Sequence, residues 1–258
     1  MQFVPMLKTL LSLTILVLFA GCASDASVSE VATNGQSGSI TRFVVYGDYM
    51  YTLNPNEVQT WSIANEDKPQ LLHTLATDYG LETIIIYDET IYIGSRTALY
   101  ILDISQPATP VLLSQTDRDA FFFGGCDPVV VKDNYAYSTI KIIENVCGSF
   151  NSISALLTYD VTDKTNPVVT NEQFLDIPNG LGVQGDYLFV CDEGMDQIVV
   201  FDITDPANPQ PTEYNVPLTD PVDVIARNGE LIVSTKTDFQ FYDITDIANI
   251  RPLGFISK

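Results

Sequence analysis

The sequence predicts an all-β fold, most simply a β-propeller of five four-stranded blades. The first observation behind this prediction is a phrase of the form Asp-Ile-Thr-Asp-x-x-Asn-Pro, which recurs along the chain at ~42-residue intervals. The second is that apolar or alternating runs, broken by a pair of turn residues, precede each copy. The third is that no helical period longer than a turn or two appears. Four strands at such a period are typical of propeller blades.

The repeated phrase is predicted to be a turn between two strands. Its copies begin at Ser62, Asp103, Asp160, Asp202 and Asp243, which are 41, 57, 42 and 41 residues apart. Asp and Asn side chains cap backbone groups in tight turns, and Pro begins a strand where no ladder N–H is needed. The remaining turn residues of the repeats are Pro110, Asp163, Pro167, Asp205, Asn208, Pro209 and Asp246. The Asp spacing also resembles a set of calcium ligands, but the Gly and distal Glu of a calcium loop are absent. Ca²⁺ therefore stays an alternative, and no other cofactor is expected.

Each repeat also contains a predicted hairpin. The pairs Gly47-Asp48, Asp133-Asn134, Gly185-Asp186 and Asn228-Gly229 favour positive φ, as tight β-hairpins require. Each unit is thus strand a, hairpin, strand b, loop, strand c, the repeated turn, and strand d. The predicted blades cover 41–77, 81–117, 125–174, 179–216 and 221–258.

The phrase and the hairpin together resemble the LVIVD repeat family, predicted propellers of bacterial and archaeal surface proteins. The resemblance covers residues 42–258 and departs from the pattern at "SIANEDKP" of blade 1, which lacks the leading Asp. It implies a fold and a surface location but no activity. Five blades would close a ring and remove exposed sheet edges. However, the repeats run from strand a to strand d, so no blade is visibly shared between the ends of the chain.

The first residues predict export and a lipid anchor. Residues 1–21 combine one cation, Lys8, with an apolar run of secretory length, and they end in small residues before Cys22. This pattern resembles a bacterial lipoprotein signal, which implies acylation of Cys22, for example with palmitate, and anchoring to a membrane. The polar segment 22–40 is predicted to be a flexible tether. We expect an outer-membrane or cell-surface location, and the lipid bilayer is a predicted partner.

The charge argues against nucleic acid as a partner. The chain carries 33 acidic and 12 basic residues, a net charge of −21. Such a charge repels phosphate backbones and favours solubility. A solvated acidic surface is the simpler interpretation, and an acidic patch for cations or a basic partner is the alternative.

The predicted ligand face lies around blade 3. Its b–c loop carries about 12 extra residues, and the preceding d–a connection about 4. Both loops emerge on one face of a propeller, where extra residues commonly form binding sites. The candidate residues of this face are Arg118, Phe121, Phe122, Phe123, Asp127, Lys141 and Glu144.

Two cysteines lie in these insertions. Cys126 ends the first and Cys147 lies within the second, so we predict a disulfide between the two loops. The chain-entropy model gives such a loop about 3 kcal/mol of stabilisation. Cys191 has no partner left and is predicted to be a buried thiol near the end of a strand b.

The sequence offers few candidate catalytic residues. The sequence has one histidine, His73, which leaves no basis for a His-based metal cluster or a Ser-His-Asp set. No catalytic residue and no metal ligand is predicted, and an enzyme is the less favoured class. We expect a non-catalytic module that binds an envelope protein or a glycan. One alternative is a carboxylate- or metal-dependent enzyme that acts on a polysaccharide or lactone in the central channel. The other is a structural or adhesive surface component.

Overall fold

The structure is a computed structural model, and it describes residues 38–117, 128–141 and 154–258. All of these residues belong to one compact unit of the chain. The predicted signal, Cys22 and most of the tether lie outside the described residues, as do Arg118, Phe121–Phe123, Cys126, Asp127, Glu144 and Cys147. The predictions for them stay predictions. The part of the chain that the structure describes contains no helix long and apolar enough to cross a membrane.

The described chain is a five-bladed β-propeller, which confirms the predicted fold class. Blade 1 contains β1 (Phe43–Tyr46), β2 (Tyr49–Asn54), β3 (Glu57–Ser62) and β4 (Gln70–Ala76). Blade 2 contains β5 (Leu81–Ile86), β6 (Thr90–Ser95), β7 (Ala98–Asp103) and β8 (Val111–Asp117). Blade 3 contains β9 (Val129–Lys132), β10 (Tyr135–Ile140), β11 (Ser154–Asp160) and β12 (Val168–Leu175).

Blades 4 and 5 follow the same plan. Blade 4 contains β13 (Pro178–Gln184), β14 (Tyr187–Asp192), β15 (Gln197–Asp202), β16 (Gln210–Pro211) and β17 (Val216–Pro217). Its outer strand is thus divided into β16 and β17, which both pair with β15. Blade 5 contains β18 (Pro221–Arg227), β19 (Glu230–Thr235), β20 (Asp238–Asp243) and β21 (Arg251–Ser257), with a 3-10 turn at Ile247–Asn249.

Every sheet is antiparallel, and its strands lie side by side in chain order. Strand a of each blade is innermost, and strand d is outermost. The innermost strands β1, β5, β9, β13 and β18 together line a central channel. A register shift recurs between strands c and d in blades 1, 2, 3 and 5. Such bulges increase the local twist that a propeller blade needs.

The a–b hairpins and the c–d turns lie on one face, which we call the turn face. In each blade the residue after strand c donates its backbone N–H to a carbonyl of the a–b hairpin, at 2.8–3.0 Å. These donors are Ile63, Ile104, Val161, Ile203 and Ile244. The b–c loops and d–a connections form the opposite face, the loop face. There Arg96 bonds to Gly80, and Glu193 bonds to Ile177 through the backbone.

The repeated phrase forms side-chain-capped turns on the turn face. The first Asp of four copies accepts a hydrogen bond from the backbone N–H two residues on; the acceptors are Asp103, Asp160, Asp202 and Asp243. The second Asp repeats this contact three residues later, at Asp163, Asp205 and Asp246. Two successive caps fix the path from strand c to strand d. Pro110, Pro167 and Pro209 each directly precede a strand d.

Four hydrophobic clusters hold consecutive blades together. Each contains buried side chains of two neighbouring blades: 1 with 2, 2 with 3, 3 with 4, and 4 with 5. The cluster between blades 4 and 5 includes Cys191, whose thiol is fully buried on β14, as predicted. Burial raises the pKa of this thiol well above its ordinary value.

Blades 5 and 1 are joined differently. No hydrophobic cluster of the described residues contains side chains from both blades. We call their facing sides the seam. The side chains of this seam belong to β1–β3 and β18–β20 and are those outside the clusters shared with blades 2 and 4. Residues 38–42, which precede β1, connect blades 4, 5 and 2 across one end of the channel. Among the described residues the ring therefore does not close through a fifth apolar cluster. The repeats alone left the manner of closure open.

Candidate functional site

The described part of the predicted ligand face is Lys141 and its surroundings. Lys141 directly follows β10 and precedes residues 142–153, which separate strands b and c of blade 3. Its Nζ donates to Asn179 Oδ1 at 3.1 Å and to Glu193 Oε2 at 3.0 Å. Both partners belong to blade 4, so Lys141 connects the loop-face ends of two blades.

Glu193 is the centre of this contact. Its second oxygen, Oε1, lies 2.7 Å from Lys236 Nζ, and its Oε2 also accepts from Asn179 Nδ2 at 3.0 Å. Lys236 in turn pairs with Asp220 Oδ1 at 2.8 Å. We call these residues, Lys141, Asn179, Glu193, Asp220 and Lys236, the Glu193 network. It spans blades 3, 4 and 5.

The electrostatics of the network follow from these contacts. Hydrogen bonds from Lys236, Asn179 and Lys141 lower the pKa of Glu193 to about 2. Bonds to Asp220 and Glu193 raise the pKa of Lys236. All five side chains have partners within the network, so it fixes loop ends and offers no unpaired charge of its own.

A buried carboxylate makes the same region rigid. Asp192, the last residue of β14, is fully buried. It accepts from the backbone N–H groups of Asp176, Ile177, Gly194 and Met195 at 3.0–3.3 Å. Four such bonds satisfy the buried charge and fix the two loops that present Glu193.

Sequence reasoning identified Lys141 but missed the rest of the network. A signal was available, because Lys141, Glu193 and Lys236 each directly follow strand b in consecutive blades. Alignment of the repeats on strand b places these three residues, of alternating charge, at one position. Asn179 is the second residue of β13 and Asp220 directly precedes β18, and neither belongs to a comparable pattern.

The central channel is the second candidate region. Its lining is apolar along most of its length, and its volume is about 390 Å³. At the loop-face end Ser39 is buried; its Oγ accepts from Leu181 N–H at 2.8 Å and donates to Asp223 Oδ1 at 2.9 Å. Thr41 O accepts from Ile84 N–H at 2.9 Å. Residues 39–41 thus occupy this end of the channel.

Asp223 is the carboxylate at the loop-face end. Burial raises its pKa, while bonds from Ser39, Val224 and the Ile40 backbone oppose that rise. A Cβ atom on Gly38 or Gly180 would lie 2.1 or 2.0 Å from its carboxylate oxygens. Glycine at both positions therefore allows the backbone to approach Asp223. The carboxylate is held by the chain's own residues.

The described ranges contain no group of three or more His, Cys, Asp or Glu side chains placed to hold a metal ion. The repeat carboxylates, considered above as calcium ligands, accept backbone N–H groups.

Comparison with known proteins agrees with the repeat and the fold. Residues 82–117 and 179–213 match the LVIVD repeat family. No curated protein matches the chain. A functionally unknown protein from Desulfotomaculum acetoxidans DSM 771 superposes with a TM-score of 0.66 at 8% identity, covering 87% of this chain and 71% of that one.

Two further solved structures are similar in fold. BamB from Moraxella catarrhalis gives a TM-score of 0.54 at 13% identity, over 84% of this chain and 63% of its own. A putative 6-phosphogluconolactonase from Bacteroides uniformis ATCC 8492 gives 0.60 at 14% identity, over 77% and 63%. At these identities the likeness concerns the fold alone. The class is a five-bladed β-propeller, and the chain contains LVIVD repeats.

Proposed function

We propose that the protein is a non-catalytic binding module of the cell envelope, anchored to a membrane through an acylated Cys22. Its ligand face would be the loop face around blade 3, and its partner an envelope protein or a glycan. The predicted Cys126–Cys147 disulfide would join the two extra loops of this face.

The observation that carries the proposal is the Glu193 network. Lys141 is the residue from which the extra b–c loop of blade 3 departs, and it is bonded to Asn179 and Glu193. Rigid support beneath a long loop is what precise recognition requires, because a loop fixed at its ends loses less entropy on binding. The network thus supports a binding role at this face.

Capture from envelope extract tests the proposal. We would compare the tagged full-length chain with Cys126→Ser/Cys147→Ser and with Lys141→Met. The matched control is Lys164→Met, on the turn face, where Lys164 Nζ donates to Thr90 Oγ1 at 2.7 Å. We expect Cys126→Ser/Cys147→Ser and Lys141→Met each to capture at least fivefold less of a specific partner than the wild type does. Lys164→Met should capture as much as the wild type.

Thermal melting shows whether each variant is folded before capture is compared. Equal capture by all four proteins would contradict the proposed face. The anchor has its own test: palmitate labelling in cells should be lost in Cys22→Ser, and labelling of that variant would contradict acylation at Cys22.

A further inference from the structure

The channel offers a small-molecule cavity that the loop-face function does not use. Its volume of about 390 Å³ lies within the range of ligand sites, roughly 300–1,000 Å³. All five innermost strands contribute apolar side chains, among them Val45, Ile86, Val131, Val183 and Ile225. A ligand that fills such a cavity gains mainly from the removal of aliphatic surface from water.

Residues 39–41 occupy one end of the cavity. Ser39 and Thr41 are hydrogen-bonded to Leu181 and Ile84 at the loop-face end, as described above. The lining side chains continue instead to the ends of the strands at the turn face, where Tyr87 is the last lining residue of its blade. A ligand would therefore enter from the turn face and lie along the axis.

The turn-face end is acidic. Four of the five a–b hairpins, which lie on this face, contain an aspartate: Asp48, Asp88, Asp133 and Asp186. Lys132 neutralises Asp186 at 2.9 Å, and Arg227 is the register partner of Glu230. Asp48, Asp88 and Asp133 are exposed, and no ion pair to them is found among the described residues.

Tyr87 connects the cavity to this rim. Tyr87 is a lining residue of the cavity, and its hydroxyl accepts a hydrogen bond from the backbone N–H of Asp133 at 3.0 Å. An aromatic face beside carboxylates attracts an alkylated ammonium group, through the ring quadrupole as well as through charge. Apolar walls and an acidic, aromatic rim define the chemistry of a complementary ligand.

We propose that the central channel binds an elongated aliphatic ligand that ends in a cationic group. The aliphatic part lies between the innermost strands, and the cation lies at the turn face near Tyr87, Asp88 and Asp133. This site is separate from the loop face and does not depend on the function proposed there.

Calorimetric titration of the full-length protein with octyl-, decyl- and dodecyltrimethylammonium, below their micellar concentrations, tests the site. We expect saturable binding that strengthens about fourfold per methylene until the cavity is full. Decanoate should bind at least tenfold more weakly than the cation of equal chain length. High salt should narrow that difference, since the rim charges are exposed.

Matched variants distinguish the channel from the acidic surface. Val45→Trp places a large ring in the cavity, whereas Val111→Trp makes the same change on the outermost strand β8, where Val111 is also exposed. We expect Val45→Trp to lower the affinity for decyltrimethylammonium at least tenfold and Val111→Trp to leave it unchanged. Asp133→Asn should lower this affinity two- to threefold. Glu213→Gln, which changes an exposed acid on blade 4, should not lower it.

Three results would overturn the proposal. One is binding that does not saturate, and another is equal affinity for the cation and decanoate. The third is full binding by a Val45→Trp variant that melts like the wild type, since binding would then be on the surface. If Val45→Trp fails to fold, Val183→Trp, at a half-buried lining position, replaces it.

Discussion

Four of the five places where neighbouring blades meet are packed cores, and the fifth is not. The third residue of strand b shows the difference: Tyr51, Tyr92, Tyr137 and Phe189 point at the next blade and are at most 1% exposed. Their equivalent in blade 5 is Ile232, which is only half-buried. Each repeat presents an equivalent surface to the next blade. Blade 5 is the last of the five, so its equivalent surface needs another partner to be buried.

The facing side of blade 1 has a different chemistry. Where blade 2 has the buried Ile91 and Ile93 of strand b, blade 1 has Met50 and Thr52, both half-buried. Trp61, the single tryptophan, donates its indole N–H to Thr52 Oγ1 at 3.3 Å. These polar and partly exposed side chains do not form the apolar layer that the other blades share.

Hydrogen bonds hold the seam at its loop-face end. Ser39 joins Leu181 of blade 4 to Asp223 of blade 5, and Thr41 bonds to Ile84 of blade 2. A short segment before the first strand therefore closes this ring.

The largest effect is expected from equivalent truncations in strand b. Phe189→Ala removes a large side chain from a packed interface and should lower the free energy of unfolding by about 3–5 kcal/mol. Ile232→Ala removes a half-buried side chain at the seam and should cost about 1–2 kcal/mol, since less surface returns to water. Urea denaturation measures both. Equal losses would mean that the seam is packed like the other interfaces.

Removal of the Ser39 hydroxyl should have the next largest effect. Ser39→Ala leaves Leu181 N–H and Asp223 without this partner at a buried site, so we expect a loss of about 1–3 kcal/mol. Ser105→Ala is the matched control, since Ser105 is exposed and its hydroxyl bonds only to Asp103 among the contacts described. That change should stay within about 0.5 kcal/mol.

The fluorescence of Trp61 tests the Ser39→Ala variant without denaturant. Because Trp61 lies on the seam, its acrylamide quenching should rise in Ser39→Ala if residues 38–42 hold blades 5 and 1 together. Unchanged quenching together with an unchanged urea midpoint would show that Ser39 does not close the ring.

The sequence predicted the blades because the repeated turn is a local structure. Asp103 or Asp202 needs only its own next few residues to form a cap, so the signal survives in each copy. The Glu193 network and the Ser39–Asp223 contact join residues from different blades, 184 positions apart in the second case. In the network, only the shared position of Lys141, Glu193 and Lys236 after strand b is a repeated pattern, and the Ser39–Asp223 contact has none. The lack of a shared apolar cluster at the seam was equally invisible, because it depends on how the first and last blades meet in the ring.

Acid sensitivity separates the network from the seam. The pKa of Glu193 is lowered to about 2, so its stabilisation is full above its ordinary value of 4.5 and is lost as the pH falls towards 2. The pKa of Asp223 is raised by burial. Its contribution is therefore full below 3.8 and is lost as the pH rises through the raised native value.

Denaturation midpoints from pH 2.5 to 7 test both signs. Glu193→Gln should flatten the acid side of the profile, and Asp223→Asn should remove the decline that begins near pH 4. Conductivity-matched buffers control for screening of the charged partners. If the denaturation midpoint fell equally steeply with acid in the wild type and in Glu193→Gln, the role of the lysines in holding the Glu193 carboxylate charged would be contradicted.

The smallest effect is expected for a polar contact that crosses a packed interface. Lys132 of blade 3 pairs with Asp186 of blade 4, whose side chain is largely exposed. Exposed pairs contribute less than about 1 kcal/mol, and the cluster between these blades holds them without it. Lys132→Ala should therefore cost less than Ser39→Ala in the same urea titration. The reverse order would mean that blades 3 and 4, rather than 5 and 1, depend on polar contacts to stay together.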